Sequence, residues 1–318
     1  TYKLFGIKHD KEYFESEIYG KGRDIVKKGW NDGKFIKEEG AIIADLTSKG
    51  YDKKVLLRAD GTSVYMTQDI ALAKIKYDKF KPRESIYIVG NEQNYHFKVL
   101  SEVMKILGLK SPIHHLSYGM VNLPEGKMKS REGTVVDADD FIGEIRALVE
   151  IELKNRYHLK KKDMDERSLA IALAAIKYYL LRVGIEKDML YKKEESVSFE
   201  GDSGPYMQYS YARASSILKR VEKKSKKTSH TMMDNKEYLL VKKLESFKET
   251  IEKSSRELNP SILANYAYDL AKQFNDFYQS CPVIGSENEA FRLELVEAFR
   301  IVMRNSLHLM GITAIEEM

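Results

Sequence analysis

The sequence predicts an α/β domain followed by an all-α bundle. Up to about residue 135, short apolar, β-rich runs alternate with helical segments, which is the order of a parallel sheet covered by helices. From about residue 137, only long stretches of 3.6-residue periodicity follow. Size is the third observation: 318 residues with 43% apolar content suffice for about two hydrophobic cores.

The strand runs are "AIIADL" (41–46), "KVLLRA" (54–59), "SIYIVG" (85–90) and "IHHLSYG" (113–119), with helices expected near 66–79 and 94–108. In the second half, helices are expected near 137–156, 166–184, 203–224, 234–257, 260–279 and 286–309, with Pro260 and Pro282 beside breaks. The first 50 residues offer helix and loop but no buried strand of the type that opens a doubly wound sheet, and the chain does not begin with methionine. The expectation is a partial parallel sheet, from the C-terminal part of something longer.

Charge and composition narrow the function classes. The formal net charge is +5, and the segment "KRVEKKSKK" at 219–227 alone carries six basic residues and one acidic one. The rest is therefore balanced. That segment reads either as a solvated helix end running into a lysine-rich loop or as a phosphate-contacting patch, and charge does not decide between them. Uncharged stretches such as "SLAIALAAI" at 168–176 stop well short of the roughly 20 apolar residues that span a bilayer. No signal-peptide pattern opens the chain, and a single cysteine, Cys281, excludes an intrachain disulfide or a multi-cysteine zinc site. A cytoplasmic protein in a reducing compartment is expected.

Open parallel sheets bind ligands beyond the carboxyl ends of their strands. In "SVYMTQDIALA", Tyr65 falls at a strand end, Thr67 is a candidate N-cap, and Asp69 sits in a first helical turn, where the dipole favours an ionised carboxylate. The run at 85–90 exits into "GNEQNYHF", placing Gly90, Gln93 and His96 where the next helix begins. Glycine allows close backbone approach there, and glutamine can donate and accept. Either stretch can equally be an ordinary helix start. The last run leads through "MVNLPE" into "GKMKSREG" (126–133), where Lys127, Lys129 and Arg131 on a glycine-bounded loop could neutralise a polyphosphate. Neither GxGxxG nor GxxxxGK[ST] occurs. His114 and His115 alternate across a strand and cannot chelate one ion together, so no metal site is expected. In "FEGDSGPYMQYSYARASS" (199–216), Tyr206, Tyr209 and Arg213 lie at i, i+3 and i+7 on one helical face. Such a face suits stacking on unpaired bases and pairing with phosphate, or packing into the bundle core.

In order and approximate spacing, "LLRADGTSVYMTQDIALAKIKYDKF", "YIVGNEQNYHF", "HLSYGMVN" with "GKMKSREG", and "GDSGPYMQYSYAR" resemble the arginyl-tRNA synthetases, from about residue 13 to Met318. The resemblance implies the C-terminal part of a class I enzyme, without the N-terminal domain and the half that bears the HIGH-type ATP motif. Residues 1–136 would be the second half of a Rossmann-type catalytic domain, 137–200 a helical connector contacting the tRNA stem, and 201–318 an anticodon-binding domain. Activation of arginine by ATP and its transfer to arginine tRNA would belong to the full-length enzyme, this fragment being inactive alone. Arginine, arginine tRNA and ATP with Mg2+ would be its partners, with no tightly bound cofactor, no membrane, and a monomeric state.

Position by position, the resemblance assigns arginine binding to Tyr65, Asp69 and Gln93. ATP would meet His96, the backbone of Gly119, Met120 and Val121, and Lys127 and Met128 of the loop, with Lys127 and Lys129 catalytic on the triphosphate. Contact with tRNA falls to Tyr206, Tyr209, Arg213 and the terminal Met318. "KMKSR" departs from the KMSKS signature: Lys129 stands in the usual serine position and Ser130 in that of the second lysine. Whether Lys129 takes over that lysine's task is a question for mutagenesis. Two other readings are a stand-alone tRNA-binding module without activity and a cysteinyl or similar class I synthetase. Tyr65 and an anionic Asp69 suit a guanidinium better than a thiol.

Overall fold

A computed structural model describes residues 1–110, 112–124, 137–221 and 232–318, which group into two units: His9–Met120, and Val121–Met318 together with Thr1–Lys8. The chain opens with a single turn, α1 (Tyr2–Phe5), in the second of these.

The His9–Met120 unit begins with α2 (Glu15–Asn31) and a three-stranded sheet, β1 (Ile36–Glu38), β2 (Ala41–Ala44) and β3 (Lys54–Leu57), in that spatial order. Both pairings are antiparallel. The runs at 41–46 and 54–59 were expected in a parallel sheet, and the structure corrects this. Only residues 45–53 join them, too few for the crossover of a dozen or more residues that parallel neighbours need. The parallel pairing comes later, with α3 (Tyr65–Phe80), β4 (Ser85–Gly90), α4 (Asn94–Leu107) and β5 (Ile113–Tyr118). β4 and β5 run parallel, in register from Ser85 opposite Ile113 to Gly90 opposite Tyr118.

Alternation gives that pair two apolar faces. Tyr87, Val89 and Ile113 pack on Phe97, Leu100, Val103 and Met104 of α4. Ile86, Ile88 and Tyr118 point the other way and are 43%, 66% and 41% exposed. Parallel strands are ordinarily covered on both faces, so this face is unusual. At the start of α3 the packing is closer still. A Cβ on Gly22 of α2 would lie 2.4 Å from the Thr67 carbonyl oxygen, so the two helices touch through backbone at that point.

The larger unit contains β6 (Val121–Asn122), α5 (Ala138–Arg156), α6 (Lys161–Leu181), β7 (Met189–Leu190), α7 (Lys193–Ser196) and α8 (Gly204–Lys219). It continues with α9 (Asn235–Glu245), α10 (Phe247–Arg256), α11 (Pro260–Ser280) and α12 (Glu289–Leu309). β6 and β7 pair in parallel. Helix α6 is buried on two sides: Ala174 and Tyr178 join a core with α8, α9, α11 and α12, while Ile171, Ala175 and Tyr179 join one with α5. Side-chain caps start the helices: Asp137 accepts from the Asp139 N–H, Ser203 from Tyr206, Asp234 from Lys236 and Asn259 from Ser261. The single helix expected over 234–257 is instead two. The carbonyl of Lys243 accepts from Ser246 Oγ at 2.8 Å and from the Tyr266 hydroxyl at 2.9 Å, and the helix breaks at Ser246.

Gly204, where α8 meets α6, gives the first prediction. A Cβ there would come 2.2 Å from the Ala174 carbonyl oxygen, a clash with backbone that cannot swing away. Gly204→Ala should cost about 1–3 kcal/mol or more, as overpacking does. The urea midpoint should fall at unchanged slope; an unmoved midpoint would show that α8 and α6 are not in this contact.

Candidate functional site

Helix α3 starts at Tyr65 with Val64 as its N-cap, so Thr67, expected as the cap, stands in the third helical position instead. Its role is tertiary. The fully buried hydroxyl donates to the Leu56 carbonyl of β3 and accepts from the Val64 N–H at 3.3 Å, fixing the helix start against the sheet. Asp69 follows in the next turn, with its side chain one-third exposed and Oδ2 2.6 Å from Nε2 of His96 in the first turn of α4. The structure therefore brings together two residues that the sequence assigned to different substrates. Among the described residues Asp69 Oδ1 has no hydrogen-bond partner, and it is left to accept from a further donor.

One further charged group, Lys76, interacts with this carboxylate. Lys76 Nζ lies 3.9 Å from the centroid of the Tyr87 ring. Burial, aided by the negative Asp69, pushes the Tyr87 hydroxyl up to about 12, and burial holds Lys76 below the usual lysine range despite the attraction of Asp69. Tyr65, one turn before Asp69, is 78% exposed. Gln93 is exposed at the cap of α4. His115 is a packing residue: it stacks on Phe97 with centroids 4.3 Å apart and pairs through Nε2 with the Val89 carbonyl at 3.0 Å. Gly119 is buried and Met120 exposed just past β5, and Val121 opens β6. Lys127, Met128 and Lys129 lie outside the described residues, as does most of 219–227. Among the described residues no group of three His, Cys, Asp or Glu side chains could hold a metal ion.

In the larger unit, every residue of α8 from Gly204 to Ile217 is buried except Tyr206, Tyr209, Arg213 and Ser216. These sit at i, i+3, i+7 and i+10, one stripe along the helix. Tyr209 and Arg213 line a cleft of about 510 Å³ with Tyr157, Arg220, Tyr278 and the terminal Met318. The Arg213 guanidinium carbon lies 4.7 Å from the Tyr209 ring centroid and 5.1 Å from that of Tyr278. Tyr206 is not in the cleft lining; it is half-buried beside Tyr268, with ring centroids 5.8 Å apart. Met318 is 8% exposed, held in the core beneath the cleft. The final segment is tied down by Gln208 Nε2 on the Thr313 carbonyl at 2.7 Å, Lys219 on Glu316 at 3.1 Å and Arg167 on Glu317 at 3.4 Å. Sequence reading missed Tyr157 and Tyr278. They lie far along the chain from α8, and no local pattern marks them.

The class of this architecture, a class I aminoacyl-tRNA synthetase catalytic domain followed by a helical anticodon-binding domain, comes from the family matches. Residues 5–191 match the family described as tRNA synthetases class I (R), catalytic domain, and residues 207–318 match the DALR anticodon binding domain. The chain belongs to the arginyl-tRNA synthetases. It is 47% identical to the arginine–tRNA ligase of Treponema denticola, over all of this chain and 56% of the relative. Among solved structures, it resembles the Thermus thermophilus arginyl-tRNA synthetase at 25% identity and a TM-score of 0.84, covering 99% of this chain and 61% of that one. The Plasmodium falciparum arginyl-tRNA synthetase, at 22% identity, has the same fold with a TM-score of 0.84 over all of this chain and 56% of that one. The chain thus spans about half the length of the curated relatives it matches.

Proposed function

We propose that the chain supplies the amino-acid pocket wall, the phosphate loop and the anticodon domain of an enzyme that activates arginine with ATP and transfers it to arginine tRNA. The observation that carries this reading is Asp69. A carboxylate anchored through Oδ2 to His96, with Oδ1 unpaired among the described residues and Tyr65 exposed one turn away, suits a planar cation with several N–H donors. Gln93 at the cap of α4 adds a group that can donate and accept. Because Nε2 of His96 is engaged by Asp69, contact with the nucleotide falls to the rest of its ring and to the backbone at Gly119–Val121. In the reaction the arginine carboxylate attacks the α-phosphate, pyrophosphate leaves, and a ribose hydroxyl of the tRNA then attacks the adenylate carbonyl. Here Asp69, Tyr65 and Gln93 orient the amino acid, and Lys127 and Lys129 neutralise the triphosphate, which arrives with Mg2+. We place this work in the cytoplasm.

The uncovered apolar face of β4 and β5, and the 56% span of the relatives, support a further reading: the catalytic domain is completed by structure beyond this chain. The 318-residue chain alone, with tRNA supplied, should then give no arginine-dependent pyrophosphate exchange above a boiled control. In the complete enzyme, Lys127→Ala should slow that exchange while leaving arginine affinity nearly intact. Lys129→Ala should cause a similar loss if Lys129 has replaced the signature's second lysine. Exchange at the wild-type rate in both variants would remove the loop from the mechanism, and exchange by the chain alone would overturn the fragment reading.

A further inference from the structure

Arg213 does not reach its place unaided. Asn275 of α11 is buried at 6% exposure, and its Oδ1 accepts from Nη1 of Arg213. Its Nδ2 donates to Ser210 Oγ at 2.8 Å, and that hydroxyl donates in turn to the Tyr206 carbonyl at 2.9 Å. The relay has only one direction. Arginine is a donor with no acceptor, so the amide oxygen must face it and the amide nitrogen must face the serine. Tyr209 completes the hold, its hydroxyl accepting from Nη2 at 3.1 Å while its ring and that of Tyr278 lie within 4.7 and 5.1 Å of the guanidinium carbon. Among the described residues, two of the guanidinium donors are thus spent inside the protein and the others remain for a ligand in the cleft. Arginine has a flexible stem whose freedom must be lost on binding, and a guanidinium already held in place loses less.

We propose that Asn275 is a positioning residue for RNA recognition: it aims the Arg213 guanidinium into the cleft between Tyr209 and Tyr278. The inference rests on the reading of that cleft as an anticodon site. Truncating Asn275 leaves Arg213 charged and present but unaimed, so the loss should pass through Arg213; Asn275 also interacts with the Tyr206 hydroxyl, and any share of the loss carried by Tyr206 would persist in the Arg213→Ala background.

The test is a double-mutant cycle on the 318-residue chain, titrated with a fluorescent arginine anticodon stem-loop, with thermal melting of each variant alongside. Asn275→Ala should weaken binding about 10-fold, the loss expected when one charge-assisted hydrogen bond ceases to orient the cation. Arg213→Ala should weaken it at least as much, and the double variant no more than Arg213→Ala alone. Ser210→Ala, which removes the far anchor of the amide and leaves Asn275 in place, should give a smaller loss that also vanishes in the Arg213→Ala background; it serves if Asn275→Ala does not fold. Losses that multiply in the double variant, or wild-type binding by folded Asn275→Ala, would overturn the positioning role while leaving the RNA reading intact. Wild-type binding by Arg213→Ala would overturn both.

Discussion

Asparagine in place of Asp69 should lower kcat/KM for arginine by about 10- to 150-fold in the complete enzyme, the equivalent of roughly 1.5–3 kcal/mol for one charge-assisted hydrogen bond. The ATP parameters should barely move. The local geometry places the loss at the upper end of that range. With His96 Nε2 only 2.6 Å from one carboxylate oxygen, a donating imidazole would draw the asparagine oxygen to itself. The amide nitrogen would then face the guanidinium, donor against donor. Steady-state kinetics with arginine and ATP varied separately decide this. Unchanged arginine kinetics would rule Asp69 out of the pocket, whereas equal losses for both substrates would mean that the change had displaced α3.

Removal of the Tyr209 ring should be the most damaging single change on the RNA side. Stacking on an unpaired base is worth about 1–3 kcal/mol, so Tyr209→Ala should weaken anticodon stem-loop binding by roughly 5- to 150-fold. The same truncation frees Nη2 of Arg213, for which the Tyr209 hydroxyl is the acceptor at 3.1 Å. Lysine substitutions within 219–227 should act differently, weakening all RNAs alike and flattening the salt dependence. A variant that melts early but binds as wild type would return Tyr209 to the core, against which its ring partly packs.

Much of this was legible in the sequence because the signals were local. The face Tyr206, Tyr209, Arg213 follows from helical spacing, and in α8 these residues with Ser216 form the stripe left unburied. The helix near 66–79 and the parallel runs at 85–90 and 113–119 were likewise set by pattern, although Tyr65, read as a strand end, is the first residue of α3. What pattern could not supply was partnership between distant elements. Alternation identifies 41–46 and 54–59 as strands, but the direction of their pairing depends on the short connection between them. Thr67 has the chemistry of a cap, yet its hydroxyl is drawn to the Leu56 carbonyl, a tertiary contact that no dipole argument anticipates. The break at Ser246 has the same origin, in a tyrosine twenty residues on that competes for a helix carbonyl. At the cleft, Tyr157, Tyr278 and Asn275 come from α11 and from the end of α5, and only folding places them beside Arg213.

The proposed function pairs an arginine-selecting pocket with a domain that would read the anticodon of the matching tRNA, and its most direct test is a titration of the wild-type chain. Its helical unit carries the described lining of the cleft, from Tyr157 to Met318. Fluorescence titration with the arginine anticodon stem-loop, against one with a substituted anticodon and at two salt concentrations, should show a preference of about 5-fold or more for the arginine anticodon, since a lost base contact costs about 1–3 kcal/mol. The preference should persist at the higher salt while both affinities fall. Equal affinity for the two stem-loops at both salt concentrations would contradict it.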